Sequence, residues 1–383
     1  MSRVALSEKD IKALTDFLGS VSKDPLEFVR LAFPWGEPNT QLEDKEGPDI
    51  WQIELLNDIK EGLKTPDQVI REAVASGHGI GKSAMVAWII LWAISTHEDT
   101  KGVVTANTDT QLKTKTWAEL AKWYYLFIAK DLFTYSATSI YSNQEGHEKT
   151  WRIDAIPWND SNPAAFAGLH NQGKRTLVIF DEASEISDII WEVAEGAMTD
   201  ADTEIIWCVF GNPTQSSGRF HACFHKNRSL WNRKQIDSRT VKISNKAELE
   251  GWRVQYGEDS DFFKIRVKGE FPSASEKQFI STALVDEARR RTLQEKQFRF
   301  APVIIACDPA WTGGDETVIY LRQGLFTKKL FATTKNDNDI EIAGILARFE
   351  DEYKADAVFI DLGYGTGIKS AGDAWGRSWT LIG

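Results

Sequence analysis

Apolar and polar positions along the chain fall into short continuous apolar runs separated by stretches of helical period, the pattern of an α/β sheet covered on both faces. The segment REAVASGHGIGKSAMVAWIILWAISTH, Arg71 to His97, holds the first complete unit. Its strand is Ala73, Val74 and Ala75, its loop is punctuated by Gly77, Gly79 and Gly81, and an unbroken apolar run then predicts a buried helix. Before it, WQIELLNDIKEGL puts Trp51, Leu55, Leu56 and Ile59 on one helical face. After it come a strand in GVVTANTDTQLKTKTWAEL that runs through a polar turn into a helix, a hairpin over 138–156, and apolar strands at 177–180 and 205–210. Residues 1–50 read as a polar helix-like start followed by an extended arm bearing Pro34, Gly36, Pro38, Gly47 and Pro48.

Composition narrows this picture. With 383 residues, 42% of them apolar, two cores are expected. A net charge of −11 argues against a general nucleic-acid coat, so any DNA contact must use local basic patches. Cys208, Cys223 and Cys307 have neither disulfide nor zinc spacing, which fits a reducing compartment, here read as the cytoplasm. No apolar run is long enough to span a bilayer, so no membrane role is expected. The fifteen tryptophans read as core packing rather than base stacking.

The glycine-rich loop supplies the first chemistry. Glycines let backbone amides turn toward an anion, and the helix that follows adds its positive end. Within SGHGIGKS the nucleotide-binding residues are then Ser76, Gly77, His78, Gly79, Ile80, Gly81, Lys82 and Ser83, with Lys82 on the β/γ-phosphates of ATP and Ser83 on Mg²⁺. Ser76 stands where the usual motif has glycine. In TLVIFDEASEI, Asp181 and Glu182 cap an apolar strand at its carboxyl end: Asp181 holds Mg²⁺ through water and Glu182 deprotonates the attacking water. The strand in TEIIWCVFGNPT ends on a polar tip, Gly211 to Thr214, where Asn212 can sense the γ-phosphate. Gln52 is a candidate adenine reader, as glutamines placed before the phosphate loop are in helicase-type ATPases. Lys226, Arg228, Arg233, Lys234, Arg239 and Lys242, against the single acid Asp237, form the best candidate for a DNA-backbone contact.

A Pro/Ser-rich break and a charged helix with Arg289, Arg290 and Arg291 separate the two halves. The expected domains are an arm at 1–50, a P-loop ATPase motor at 51–271, a linker at 272–300 and a second domain at 301–383. That second domain reads strand, strand, strand, helix, strand, the opening order of the ribonuclease H-like fold. Asp308 ends its first strand and Asp361 its fourth, neighbours in that fold, so both carboxylates converge on Mg²⁺ or Mn²⁺. Fold class is therefore expected to be α/β: a P-loop ATPase domain with a central, mainly parallel sheet, then a ribonuclease H-like nuclease domain.

With these motifs in this order, the chain resembles the large terminase subunit of tailed bacteriophages over nearly its whole length. The carriers are the Gln52 region, SGHGIGKS, VIFDE, GNPT, GEFP, CDPAWTGGDET and FIDLGYGTG. The resemblance implies that Lys82, Ser83, Asp181 and Glu182 power translocation, that the 211–214 tip couples hydrolysis to movement, and that Asp308 and Asp361 are nuclease metal ligands. It implies as partners double-stranded DNA, a portal protein and a small terminase subunit, with a homo-oligomeric ring on the portal, a free monomer, and the host cytoplasm as the site of action. Two departures stand out. His78 and Ile80 occupy the region where many members carry an arginine, leaving Arg219 as a substitute. The family's nuclease fold also continues through a further strand and a helix with a third acid, so the domain is expected to be truncated, with Asp315, Glu316 or Asp373 as the available third ligands.

The expected function is ATP-driven packaging of viral DNA into a procapsid with metal-dependent cutting of the concatemer. The alternatives are an ATP-dependent DNA-binding or assembly module with an inert nuclease remnant, and a helicase-like DNA translocase.

Overall fold

A computed structural model describes residues 7–65, 68–106, 108–158, 169–196, 198–272, 288, 290–311, 315–334 and 338–383. Contacts divide the chain into two compact units, Met1–Val285 and Asp286–Gly383.

The larger unit is built on eight strands: β1 (Ile70–Ser76), β2 (Lys101–Thr105), β3 (Phe133–Tyr135), β4 (Ser139–Ser142), β5 (Arg152–Ala155), β6 (Arg175–Phe180), β7 (Glu204–Gly211) and β8 (Asn232–Ile236). Their order is β3-β4-β5-β2-β6-β7-β1-β8. Every pairing from β5 to β8 is parallel, and only β3 and β4 run antiparallel as a hairpin extension, so the sheet is mainly parallel.

Strand period sorts the two faces. Val74, Leu177, Ile179, Ile206, Cys208 and Phe210 belong to one core, whereas Ala73, Ala75, Val178, Phe180, Trp207 and Val209 belong to the other. Helix Lys82–Ser95 is buried at every position from Met85 onward, which explains its lack of a polar face. The tryptophans largely pack as expected: Trp88, Trp123 and Trp35 stack edge-on in the first core, and Trp191, Trp207 and Trp231 in the second.

The N-terminal arm is a correction. Glu8–Ser20 and Pro25–Leu31 are helices, and Phe28, Val29, Phe33 and Leu42 are buried in the first core. Proline at Pro25 starts a helix here, with the Asp24 carboxylate accepting from the Glu27 amide. The Pro/Gly stretch that follows is irregular, but Phe33 and Trp35 still pack on Trp123.

In the smaller unit, β9 (Val303–Asp308), β10 (Glu316–Gln323), β11 (Phe326–Thr334), β12 (Ala357–Asp361) and β13 (Thr380–Ile382) are ordered β11-β10-β9-β12-β13. The pairs β9·β12 and β12·β13 are parallel, while β10 runs antiparallel to both of its neighbours. Helix Asp339–Tyr353 makes the crossover into β12.

A second correction concerns AVFIDLGYGTG. The strand stops at Asp361 and a helix runs from Leu362 to Ala374 in spite of its glycines. Close packing accounts for two of them: a Cβ on Gly365 would collide with Ile360, and one on Gly372 with the Trp379 ring. Among the described residues no helix is long and apolar enough to cross a membrane. The three cysteines are buried free thiols.

Candidate active site

The phosphate loop is held by segments far from it in sequence. The Gly77 amide donates to Ile236 O at 3.1 Å and the His78 amide to Arg266 O at 2.8 Å, while Ser238 Oγ donates to His78 O at 2.7 Å. No side chain fits at Gly77, whose Cβ would lie 2.7 Å from Arg266 O and closer still to Ser238 and Val267. Gly81, with φ +86°, ends the loop in the left-handed region, and helix Lys82–Ser95 follows without a side-chain cap. Uncapped amides at a helix start are ready donors for an anion.

Strand order brings the remaining groups together. β7 lies between β1, which leads into the loop, and β6, which ends at Asp181. Asn212 at the tip of β7 therefore stands between both motifs. Its Oδ1 accepts from Lys82 Nζ at 3.1 Å, its Nδ2 donates to Ser76 O at 2.5 Å, and its own carbonyl accepts from Ser184 Oγ. Ser76, the departure from the motif, is fully buried with Oγ donating to Gly77 O.

Asp181 is 6% exposed, and Thr116 Oγ1 donates to its Oδ2 at 2.5 Å. Burial, then the charge of Glu182, pushes the Asp181 carboxyl above its usual range, while Thr116 and Lys82 pull it down. Burial likewise lowers Lys82, opposed by Glu182 and Asp181. Glu182 takes φ +54°, unusual for a residue with a side chain and characteristic of functional turns. A cavity of about 820 Å³ adjoins these groups, lined by Gln52, His78 to Ser83, Glu182 and Asn212.

Gln52 lines the cavity but also braces the loop. Its Oε1 accepts from the Asp49 amide at 2.8 Å and its Nε2 donates to Gly81 O at 3.3 Å. Trp51 Nε1 donates to Ile80 O at 3.2 Å beside it, and the Ile80 side chain itself is buried in the core.

In the smaller unit the register pairs Cys307 with Ile360, so Asp308 and Asp361 take the next position on adjacent parallel strands. Both are exposed, and Asp361 Oδ2 accepts from the Gly363 amide at 3.1 Å. Among the described residues neither belongs to a group of three potential ligands close enough to share an ion; the one such group is Glu98, Asp99 and His147. Asp315 and Glu316 are exposed, and Asp373 is ion-paired with Lys369 at 2.5 Å.

No protein-family model matches the chain. A curated relative described as "Probable terminase, large subunit", from Enterobacteria phage P7, is 26% identical over 237 residues, covering 58% of this chain and 46% of the relative. This chain resembles phage large terminase subunits. It thus spans about half the length of that curated relative, at 46%. By structure it is similar to the HK97 bacteriophage large terminase, with TM-score 0.52 and 11% identity over 94% of this chain and 84% of that one, a likeness of fold. It is also similar to the large terminase of a thermophilic bacteriophage, with TM-score 0.44 and 13% identity over 86% of this chain and 81% of that one.

Two further sequence expectations for a terminase-like chain are altered by the structure. Arg219 is ion-paired with Glu195 and does not line the cavity, because its helix faces Glu195 rather than the loop. The basic run is half neutralised: Lys234 pairs with Glu54 and Asp58, Arg239 with Asp237 and Glu258, and Lys242 with Glu46. Lys226, Arg228 and Arg233 stay exposed. Arg289 lies outside the described residues, while Arg290 and Arg291 are exposed.

Sequence reading missed Thr116 and Arg266. Thr116 sits in a π-helical turn, Leu112–Trp117, and Arg266 in another, Lys264–Lys268. Such turns mark functional positions in structures but leave no sequence period.

Proposed function

We propose that this terminase-like chain hydrolyses ATP in its larger unit and that hydrolysis drives double-stranded viral DNA into a procapsid in the host cytoplasm. The observation that carries the reading is the bridge from Lys82 through Asn212 to Ser76, beside Asp181 and Glu182 at one cavity. The uncapped loop amides and Lys82 bind the phosphate chain. Glu182 orients the attacking water and accepts its proton, and Asn212, in contact with the loop lysine, responds to loss of the terminal phosphate.

The donor set fits Mg²⁺. Asp181 is a buried carboxylate whose hydrogen-bond partners, Thr116 and the Glu182 amide, are donors, so acceptor positions remain for a hard cation, and Ser83 opens the helix across the cavity. Asp181 and Ser83 would hold the ion, which when bound supplies positive charge to the phosphate oxygens.

For the smaller unit we propose metal-dependent cutting of concatemeric DNA at Asp308 and Asp361, supported by their adjacent register. A pair without a third carboxylate nearby equally favours a second reading, an inert nuclease remnant on an ATP-dependent packaging module. Portal protein, a small terminase subunit and a ring of copies are the partners that packaging requires.

ATP turnover and supercoiled-plasmid cleavage by this chain, measured side by side with Glu182→Gln and Asp308→Asn, test both parts. Turnover absent from the parent or unchanged in Glu182→Gln would sink the motor reading. Cleavage lost in Asp308→Asn supports the nuclease, and an intact plasmid with active turnover supports the remnant.

A further inference from the structure

Arg266 meets the phosphate loop 188 residues from it in sequence, at both backbone and side chain. Its carbonyl accepts from the His78 amide at 2.8 Å, and its Nη1 lies 3.2 Å from His78 Nε2. A guanidinium carries donors only, so Nε2 must be the acceptor of this bond. A neutral imidazole that accepts at Nε2 carries its proton on Nδ1. His78 lines the cavity, and Nδ1–H is the ring's remaining polar group.

The surroundings keep the ring neutral. Burial, then Lys82, Arg266 and Lys115, hold the imidazole below its ordinary range, against the single opposing charge of Glu182. Arg266 itself lies over the Phe262 ring, 5.1 Å from its centroid, with no carboxylate ion pair among the described residues. Its backbone is fixed to the loop, so the guanidinium is held at the imidazole from a segment that moves with it.

We infer that His78 is a neutral hydrogen-bond donor, through Nδ1–H, to the phosphate chain of the bound nucleotide, and that Arg266 is the positioning residue that fixes this tautomer. The inference rests on the nucleotide reading proposed above. Phosphate oxygens accept hydrogen bonds only, so the opposite tautomer would turn a bare Nδ1 lone pair toward anionic oxygen. Arg266 would thus act through His78 without touching the nucleotide.

The test uses the full chain labelled with ¹⁵N-histidine, with His78 assigned by its loss in His78→Asn. Two-bond ¹H–¹⁵N correlations should show a protonated Nδ1 and an acceptor Nε2 at His78 before nucleotide is added, and ADP should shift the Nδ1 resonance. Arg266→Ala, a change at an exposed residue, should release the ring to a mixture with the Nε2–H form, while Arg266→Lys, still donor-only, should keep the original. In ATP turnover, His78→Ala and Arg266→Ala should each lose about tenfold, one hydrogen bond to a charged group, and the double variant should lose no more than His78→Ala alone. His78→Asn, which keeps a donor near the Nδ1 position, should restore most of the rate. An Nε2–H tautomer in the parent, a tautomer indifferent to Arg266→Ala, or additive losses would overturn the inference. A parent that fails to bind ADP defeats the nucleotide reading instead, whereas a parent that binds ADP with the His78 ring unmoved defeats this one alone.

Discussion

Lys82 and Asn212, 130 residues apart in sequence, share a hydrogen bond of 3.1 Å that also fixes the start of the phosphate loop, because the other end of the Asn212 amide donates to Ser76 O at 2.5 Å. One side chain thus joins the loop lysine, the loop entry and the tip of β7. A change at any of the three is transmitted to the others through a single planar group.

Removing that group should be costly. Asn212→Ala leaves the buried Ser76 carbonyl without its side-chain donor, a loss of about 1–3 kcal/mol. Denaturant unfolding should show it as a lower midpoint at unchanged slope. ATP turnover should fall more than stability does, and Asn212→Asp should not restore it, since a carboxylate cannot donate to Ser76. Full turnover in Asn212→Ala would contradict the bridge.

Thr116 sets the charge state of Asp181. Its hydroxyl is among the groups that lower an otherwise raised carboxyl, so Thr116→Val should raise Asp181 further. The acid limb of the turnover–pH profile should move to higher pH, and more Mg²⁺ should be needed for half-maximal rate. Thr116→Ser, which keeps the hydroxyl, should restore both. A profile that does not move in Thr116→Val would show that the hydrogen bond does not tune the carboxylate.

Glu72 on β1 is fully buried, with Oε1 accepting from Asn232 Nδ2 at 2.8 Å, and burial pushes its carboxyl up to about 8 from an ordinary 4.5. The folded state therefore holds a proton that the unfolded chain releases. Stability from this group is fully present below about pH 4.5 and is lost as pH rises through 8. Glu72→Gln keeps an acceptor for Asn232 without the charge. Melting temperatures of parent and variant should diverge from about pH 5 to pH 9, the parent falling relative to the variant. Parallel curves would mean that Glu72 is already ionised.

Gly77→Ala tests the close approach of three segments. Its Cβ would lie 2.7 Å from Arg266 O, a backbone atom that cannot step aside. Overpacking of this kind costs about 1–3 kcal/mol, and here it should also abolish ADP binding by displacing His78. Calorimetric titration with ADP measures the second effect. A Gly77→Ala variant that binds ADP as the parent does would show the loop to be looser than its contacts indicate.

Local pattern carried much of the architecture. Continuous apolar runs at 73–75, 177–180 and 205–210 became parallel strands because a strand covered on both faces has no polar side to show. The all-apolar run after Lys82 became a buried helix for the same reason. The hairpin over 138–156 and the opening order of the smaller unit were legible in the same way. The loop glycines, Lys82, Asp181, Glu182 and Asn212 could be named because their chemistry depends on residue type at the end of a strand.

Spatial adjacency was decided only by the tertiary structure. Which strand lies between β1 and β6 is a property of sheet order, and that order places Asn212 against Lys82 and Ser76. Thr116 and Arg266 reach the site through π-helical turns with no period to detect, and Arg219 turns away because Glu195 neutralises it. Residues 362–374 defeated local reading most clearly: their glycines speak against a helix, yet packing against Ile360 and Trp379 leaves room for nothing larger. Sequence determines what each residue is able to do, because that is local chemistry. The fold determines which groups meet, because contacts between distant segments are chosen by packing that no single segment contains.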